Sequence, residues 1–117
     1  MDGDPVAGKE IDRMLTGLPY RITHIMTVKE CEAYLRDHAC SVLIVDLDTV
    51  ALNNRTIARL KKKHPGINII AKSQRPFHPE LEESMRRFIF ACLSKPLDAD
   101  ELNFWLKSLI VTNGSTS

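Results

Sequence analysis

Residues Ser41 to Asp48 read SVLIVDLD, a run of apolar, β-branched residues that passes directly into a carboxylate at Asp46. Val42 to Val45 have the character of a strand buried on both faces, as parallel sheets require. In an open α/β sheet, ligands and chemistry gather at the carboxyl ends of the strands. Asp46 therefore marks the end of a strand and the start of a candidate site.

The rest of the chain alternates around this strand. Asp4-Pro5 predicts a helix start, with Asp accepting from first-turn amides and Pro at the first helical position. Ala7, Ile11, Met14, Leu15 and Leu18 share one face of that helix, which Gly17 and Pro19 stop. Tyr20 to Met26 (YRITHIM) alternates as a strand, and Thr27 caps a second helix carrying Cys31, Tyr34 and Leu35. A third helix with Ile57 and Leu60 ends at the turn His64-Pro65-Gly66. Ile67 to Ala71 is a short apolar strand. Pro76 and Pro79 bracket a loop, Leu81, Met85, Phe88 and Ile89 stripe a fourth helix, and Ile89 to Leu93 form the last strand. A final helix over 98–110 turns Leu102, Trp105, Leu106 and Leu109 inward. The resulting order α-β-α-β-α-β-α-β-α predicts an α/β fold, a doubly wound parallel sheet with helices on both faces.

In that fold Asp46, Ser73 and Lys95 lie at or just beyond the ends of three different strands, so they converge on one edge. A carboxylate can act as a nucleophile toward phosphorus, a lysine neutralises the transferring group, and a hydroxyl can donate to a phosphoryl oxygen. Taken singly, Asp46 could cap a loop, Ser73 could end a strand and Lys95 could be a surface charge; together they suit phosphoryl transfer.

Composition limits the alternatives. A chain of 117 residues with 44% hydrophobic content suits one domain, and 16 basic against 15 acidic residues lacks the basic excess of a nucleic-acid-binding domain. Lys61-Lys62-Lys63 reads as a solvated helix end complementing the helix dipole. The three cysteines, Cys31, Cys40 and Cys92, have neither zinc nor CxxC spacing and are expected to be buried, reduced thiols. His24, His38, His64 and His78 lie in separate elements without a paired ligand. No glycine-rich phosphate loop follows a strand, which argues against a nucleotide- or flavin-binding enzyme. No apolar run approaches the roughly 18 residues of a membrane span, and the acidic start is unlike a signal peptide, so a cytoplasmic protein without membrane contact is expected.

The ordered segments VLIVDLD, IIAKSQ and FACLSKPL, together with MDGDP at the start, resemble a response-regulator receiver domain of two-component signalling. The resemblance runs from about Asp2 to Leu109 and implies a flavodoxin-like receiver fold of four or five strands. It gives Asp46 the role of phosphoacceptor, Ser73 that of the switch hydroxyl and Lys95 that of the phosphate-contacting lysine, with a cis bond before Pro96. It places Asp2, Asp4 and Asp46 around Mg²⁺. It implies a histidine kinase or phosphotransfer protein as partner, homodimer formation, no direct nucleic-acid contact, and at most self-catalysed aspartyl phosphorylation and dephosphorylation. Residues 1–110 would form the domain and 111–117 a flexible tail or linker stub.

Several positions depart from that pattern. Gly3 stands where a second pocket acid is usual, unless Asp4 or Asp48 reaches in, which weakens the expected magnesium site. Val50 and Asn54 replace a Pro and a Gly, Lys72 and Gln74 flank Ser73 where apolar and small residues are typical, and Cys92 replaces an aromatic. Only Met1 precedes Asp2, so the family's first strand is missing. A collapsed four-stranded sheet, or a dimer completed by strand exchange or edge pairing, is expected. Two functions follow: a phosphoacceptor receiver, or a degenerate receiver acting as a phosphorylation-independent binding and dimerisation module. The face over about 79–107 would dock partners, with Arg86 and Arg87 beside Glu82 and Glu83.

Overall fold

Three strands carry the fold in the computed structural model, which describes residues 1–114. They are β1 (Val42–Asp46), β2 (Asn68–Ser73) and β3 (Ile89–Ser94), parallel and in the order β1-β2-β3. Asp46 pairs in register with Lys72, Lys72 with Leu93, and Ser73 with Ser94, so the three carboxyl ends are aligned on one edge. Five helices flank the sheet: α1 (Ala7–Met14), α2 (Val28–Asp37), α3 (Asn54–Lys63), α4 (Glu82–Arg87) and α5 (Ala99–Gly114), with a short 3-10 turn Pro79–Leu81 before α4.

Alternation along the strands divides the core in two. Leu43, Val45, Ile69 and Ala71 pack with Cys31 and Leu35 of α2 and Ile57 and Leu60 of α3. On the other face, Ile70 and Leu93 pack with Leu15 after α1 and with Leu102, Leu106 and Leu109 of α5. This is the doubly wound α/β arrangement expected. Within α5, Leu102 is fully buried, whereas Trp105, expected in the core, is half-buried and meets Phe90 and Phe104 edge-on. The helix also runs past Ile110 to Gly114; the end of the expected tail, 115–117, lies outside the described residues.

The segment expected as a strand over 20–26 has no regular secondary structure and belongs to no ladder. Its link to β1 passes through the first two residues: the Asp2 amide donates to Ile25 O at 2.9 Å, the Met1 amine donates to Ile44 O, and the Asp46 amide donates to Met1 O at 2.9 Å. Met1 and Asp2 thus stand between the segment and β1, and the collapsed four-stranded sheet does not form. Two residues are too few to count as a strand, so among the described residues the sheet has three strands and ends at β1.

Local chemistry explains the helix ends. Thr27 caps α2, its Oγ1 accepting from the Glu30 amide at 3.1 Å and donating to Glu30 Oε1 at 3.2 Å. Asn53 caps α3 through the Thr56 amide at 2.8 Å, and Gly17 turns the chain after α1 with φ of 83°. The first helix starts at Ala7, later than Asp4-Pro5 suggests, because the Asp4 carboxylate accepts from the Val6 amide at 3.0 Å and closes a turn ahead of the helix. All three cysteines are free, and only Cys31 is buried; Cys92 is exposed because β3 is an edge strand whose alternate residues face outward.

Truncation of Leu102 to Ala should lower unfolding free energy by about 3 kcal/mol, since the residue is fully enclosed between α5 and the sheet. Thr27→Ala should cost about 1 kcal/mol through loss of the cap. Urea unfolding followed by circular dichroism measures both.

Candidate functional site: the charged pocket at the strand ends

Asp46, the last residue of β1, points both carboxylate oxygens into the molecule. Oδ1 accepts from the Asp48 amide at 2.8 Å, and Oδ2 meets Lys95 Nζ at 2.5 Å and Lys72 Nζ at 4.0 Å. Lys95 stands just beyond β3, is tied back by its amide to Ser73 O at 3.2 Å, and precedes a cis bond to Pro96. It also meets Asp48 Oδ2 at 3.0 Å. Ser73 ends β2 and donates through Oγ to Asp48 Oδ1 at 2.7 Å, while accepting from the Arg75 amide. Asp46, Ser73 and Lys95 are therefore brought together, with Asp48 joining the serine to the lysine.

Asp2 enters from the other side. Its Oδ1 accepts from the Asp4 amide at 2.9 Å and from the Thr49 hydroxyl at 3.0 Å, and its Oδ2 lies 2.6 Å from Lys72 Nζ. The Lys72 contact is an ion pair set off the direction of a good hydrogen bond. Asp4, whose carboxylate serves the turn before α1, stays outside this pocket.

Lys72 was not among the sequence-derived site residues, yet it is the hub of the pocket: it comes from the central strand and sits between Asp2 and Asp46. The sequence carried a signal, a lysine in the otherwise buried strand NIIAKS, because burying an ammonium costs several kcal/mol unless carboxylates receive it. Exposure is 2% for Asp46, 4% for Asp2 and 4% for Lys72, so these charges are desolvated together.

The electrostatics follow from these contacts. Burial raises the Asp2 carboxyl, but Lys72, the Asp4 amide and Thr49 outweigh it and hold it at about 2. Asp48 is likewise raised by burial, then brought to about 2 by the Gln74 amide, the Ser73 hydroxyl and Lys95. Burial works to lower Lys95, but Asp46 and Asp48 prevail and its pKa lies above the ordinary 10.5.

Mg²⁺ asks for near-octahedral oxygens at about 2.1 Å. Here each carboxylate oxygen of Asp2, Asp46 and Asp48 already faces a donor or an ammonium of the same chain. No group of three or more acidic, His or Cys residues is placed to hold a metal among the described residues. Gly3 leaves little room for a further acid, since a Cβ there would lie 2.9 Å from the Thr49 carbonyl oxygen. The residues present do not fit the ion.

Comparison with known proteins bears on the fold. The sequence matches no protein-family model and no curated protein. Solved structures match closely in shape. The signal receiver domain of an HD domain-containing protein from Pseudomonas fluorescens Pf-5 superposes with a TM-score of 0.85 at 20% identity, covering 97% of this chain and 93% of that one. A CheY-like response-regulator receiver domain protein from Methanospirillum hungatei JF-1 gives 0.84 at 15% identity, over 99% and 94%. A response regulator from Thermotoga maritima gives 0.80 at 16%, over 94% and 92%. The chain has the receiver fold. Among the described residues, no helix is long and apolar enough to cross a membrane.

Asp2 and Asp48 have depressed folded pKa values, so they contribute stability that is present above the ordinary carboxyl value of 3.8 and is lost as pH falls toward about 2. Thermal unfolding should show a steep loss of Tm across that window, and Asp48→Asn should flatten it relative to wild type.

Proposed function

We propose that this chain is a cytoplasmic signal receiver that works by protein contact, with Asp46 serving as an internal counter-ion and not as a phosphoacceptor. The observation that supports this is the enclosure of Asp46: both oxygens are engaged, two ammonium groups face one of them, and the residue is 2% exposed. A nucleophile needs a free lone pair and an in-line path to phosphorus. Here each carboxylate oxygen already faces a donor or an ammonium and the group is closed off from solvent, and the Ser73 hydroxyl is committed to Asp48.

The contact surface in this reading is the flank of β3 and α5. Phe90 and Phe104 are 47% and 60% exposed and meet Trp105 edge-on around an open groove of about 560 Å³. Exposed aromatics clustered in this way suit a protein partner. A second copy of the chain is the partner this reading favours, since α4 carries Glu82 and Glu83 beside Arg86 and Arg87, a mixed set able to pair across a two-fold axis.

One observation favours the alternative in which Asp46 accepts a phosphoryl group from a histidine kinase or phosphotransfer protein. Asp46, Lys95 and Ser73 do converge at the strand ends, with Lys95 on the carboxylate. In that reaction an Asp46 oxygen forms the bond to phosphorus as the donor's bond to phosphorus breaks.

Intact mass spectrometry after incubation with acetyl phosphate and Mg²⁺ separates the two. The expected result is no mass gain in wild type under conditions that label an ordinary receiver. A gain of one phosphoryl group that disappears in Asp46→Asn would establish the alternative. Separately, Phe104→Glu should shift a self-associating species to monomer in light scattering without lowering Tm.

A further inference from the structure

We propose that Lys72 is a tethered cation that takes the part of a divalent metal in this pocket, so that the domain is charge-balanced and closed without Mg²⁺. The inference deepens the receiver reading and depends on the pocket being the one that fold places at its strand ends. It rests on geometry. Lys72 leaves the central strand on the face that also carries Ile70, and its ammonium reaches 2.6 Å from Asp2 and 4.0 Å from Asp46. These two carboxylates are remote in sequence and are brought near by the backbone hydrogen bond from the Asp46 amide to Met1 O, which leaves two like charges side by side. The cation lies between them and offsets that repulsion.

Charge supports the assignment. Asp2, Asp46 and Asp48 bring three negative charges and Lys72 and Lys95 two positive ones, with the Met1 amine also acting on Asp2; of these, Asp2, Asp46 and Lys72 are buried, while Asp48 and Lys95 reach solvent. Without Lys72, two carboxylates would face each other across a desolvated gap with only Lys95 on the far side of Asp46. An apolar residue would be the ordinary choice in β2, whose neighbouring Ile69, Ile70 and Ala71 are fully enclosed. An ammonium is tolerated there because the carboxylates receive it.

The consequence is testable in both directions. Removing the tethered charge should create a place for the mobile one: Lys72→Ala leaves Asp2 Oδ2 without its cation and Asp46 with Lys95 alone. Mn²⁺ serves as a paramagnetic stand-in whose free signal in electron paramagnetic resonance falls on binding.

Wild type should leave the Mn²⁺ signal unchanged, and its Tm should respond to millimolar Mg²⁺ no more than to an equal ionic strength of NaCl. Lys72→Ala should bind Mn²⁺ and gain about 5 °C in Tm at tenfold excess of Mg²⁺ over its dissociation constant. Lys72→Ala with Asp2→Asn should lose both responses.

Binding of Mn²⁺ to wild type that Asp2→Asn abolishes would overturn the proposal, and this arm needs no variant at Lys72 to fold. Equal binding by wild type and Lys72→Ala would also overturn it. Labelling of wild-type Asp46 by acetyl phosphate that proceeds equally with and without Mg²⁺ would support the tethered cation while removing the phosphorylation-independent function, so the two proposals fail separately.

Discussion

Buried charge is the constraint on which this structure turns. Asp2, Asp46, Asp48, Lys72 and Lys95 come from the chain start, β1, the loop after it, the central strand and the loop after β3. Asp2, Asp46 and Lys72 are buried and would each be expensive to hold away from water without a partner, whereas Asp48 and Lys95 join them from the solvent side. The network therefore couples regions that the sheet alone does not connect. It ties the first turn to β1 and β2, and it fixes the loop carrying the cis Pro96 against the end of β1.

The same two residues serve the network and the sheet edge. The backbone of Met1 and Asp2 joins β1 to the segment over 20–26, and the side chain of Asp2 pairs with Lys72. His24 completes the link, its ring Nε2 lying 2.9 Å from Asp2 O. Strand pairing on this side is thus replaced by a few polar contacts, anchored by an ion pair. A loss of charge at Lys72 would consequently be felt at the edge of the sheet as well as in the pocket, because Asp2 would lose its partner in both senses.

Much of the architecture was legible in the sequence because it rests on local signals. VLIVD and NIIA are apolar runs of strand length, Thr27 and Asn53 stand where caps are needed, and Gly17 and His64-Pro65-Gly66 punctuate helices. The strand over 20–26 was overread because alternation reports a half-buried extended chain, and whether that chain joins a ladder depends on a neighbour remote in sequence. Trp105 shares the helical spacing of Leu102, Leu106 and Leu109 but lies at the margin of the buried stripe, where periodicity alone does not separate core from rim. In the pocket, the meeting of Asp46, Ser73 and Lys95 followed from strand ends sharing an edge. Lys72 did not follow: its spacing assigns it to the sheet, and only the position of Asp2, set by tertiary contacts, gives its ammonium a destination.

These contacts also bear on how a signal could cross the domain. Coupling between a pocket and a surface needs an element with two arrangements that both sites bias. In this pocket Ser73 is held by Asp48 and by the Arg75 amide, and Lys95 is shared between two carboxylates, so the groups nearest Asp46 have one well-satisfied arrangement. On β3 the outward residue Cys92 is small, leaving no bulky ring there to exchange inner and outer positions. The aromatic surface beside it is already exposed, with Phe90 and Phe104 flanking Trp105. A domain built in this way has that surface formed without any rearrangement of the pocket. In the function proposed above, control lies in which partner is present and at what concentration, and the ion network holds the end of β3 in a single geometry.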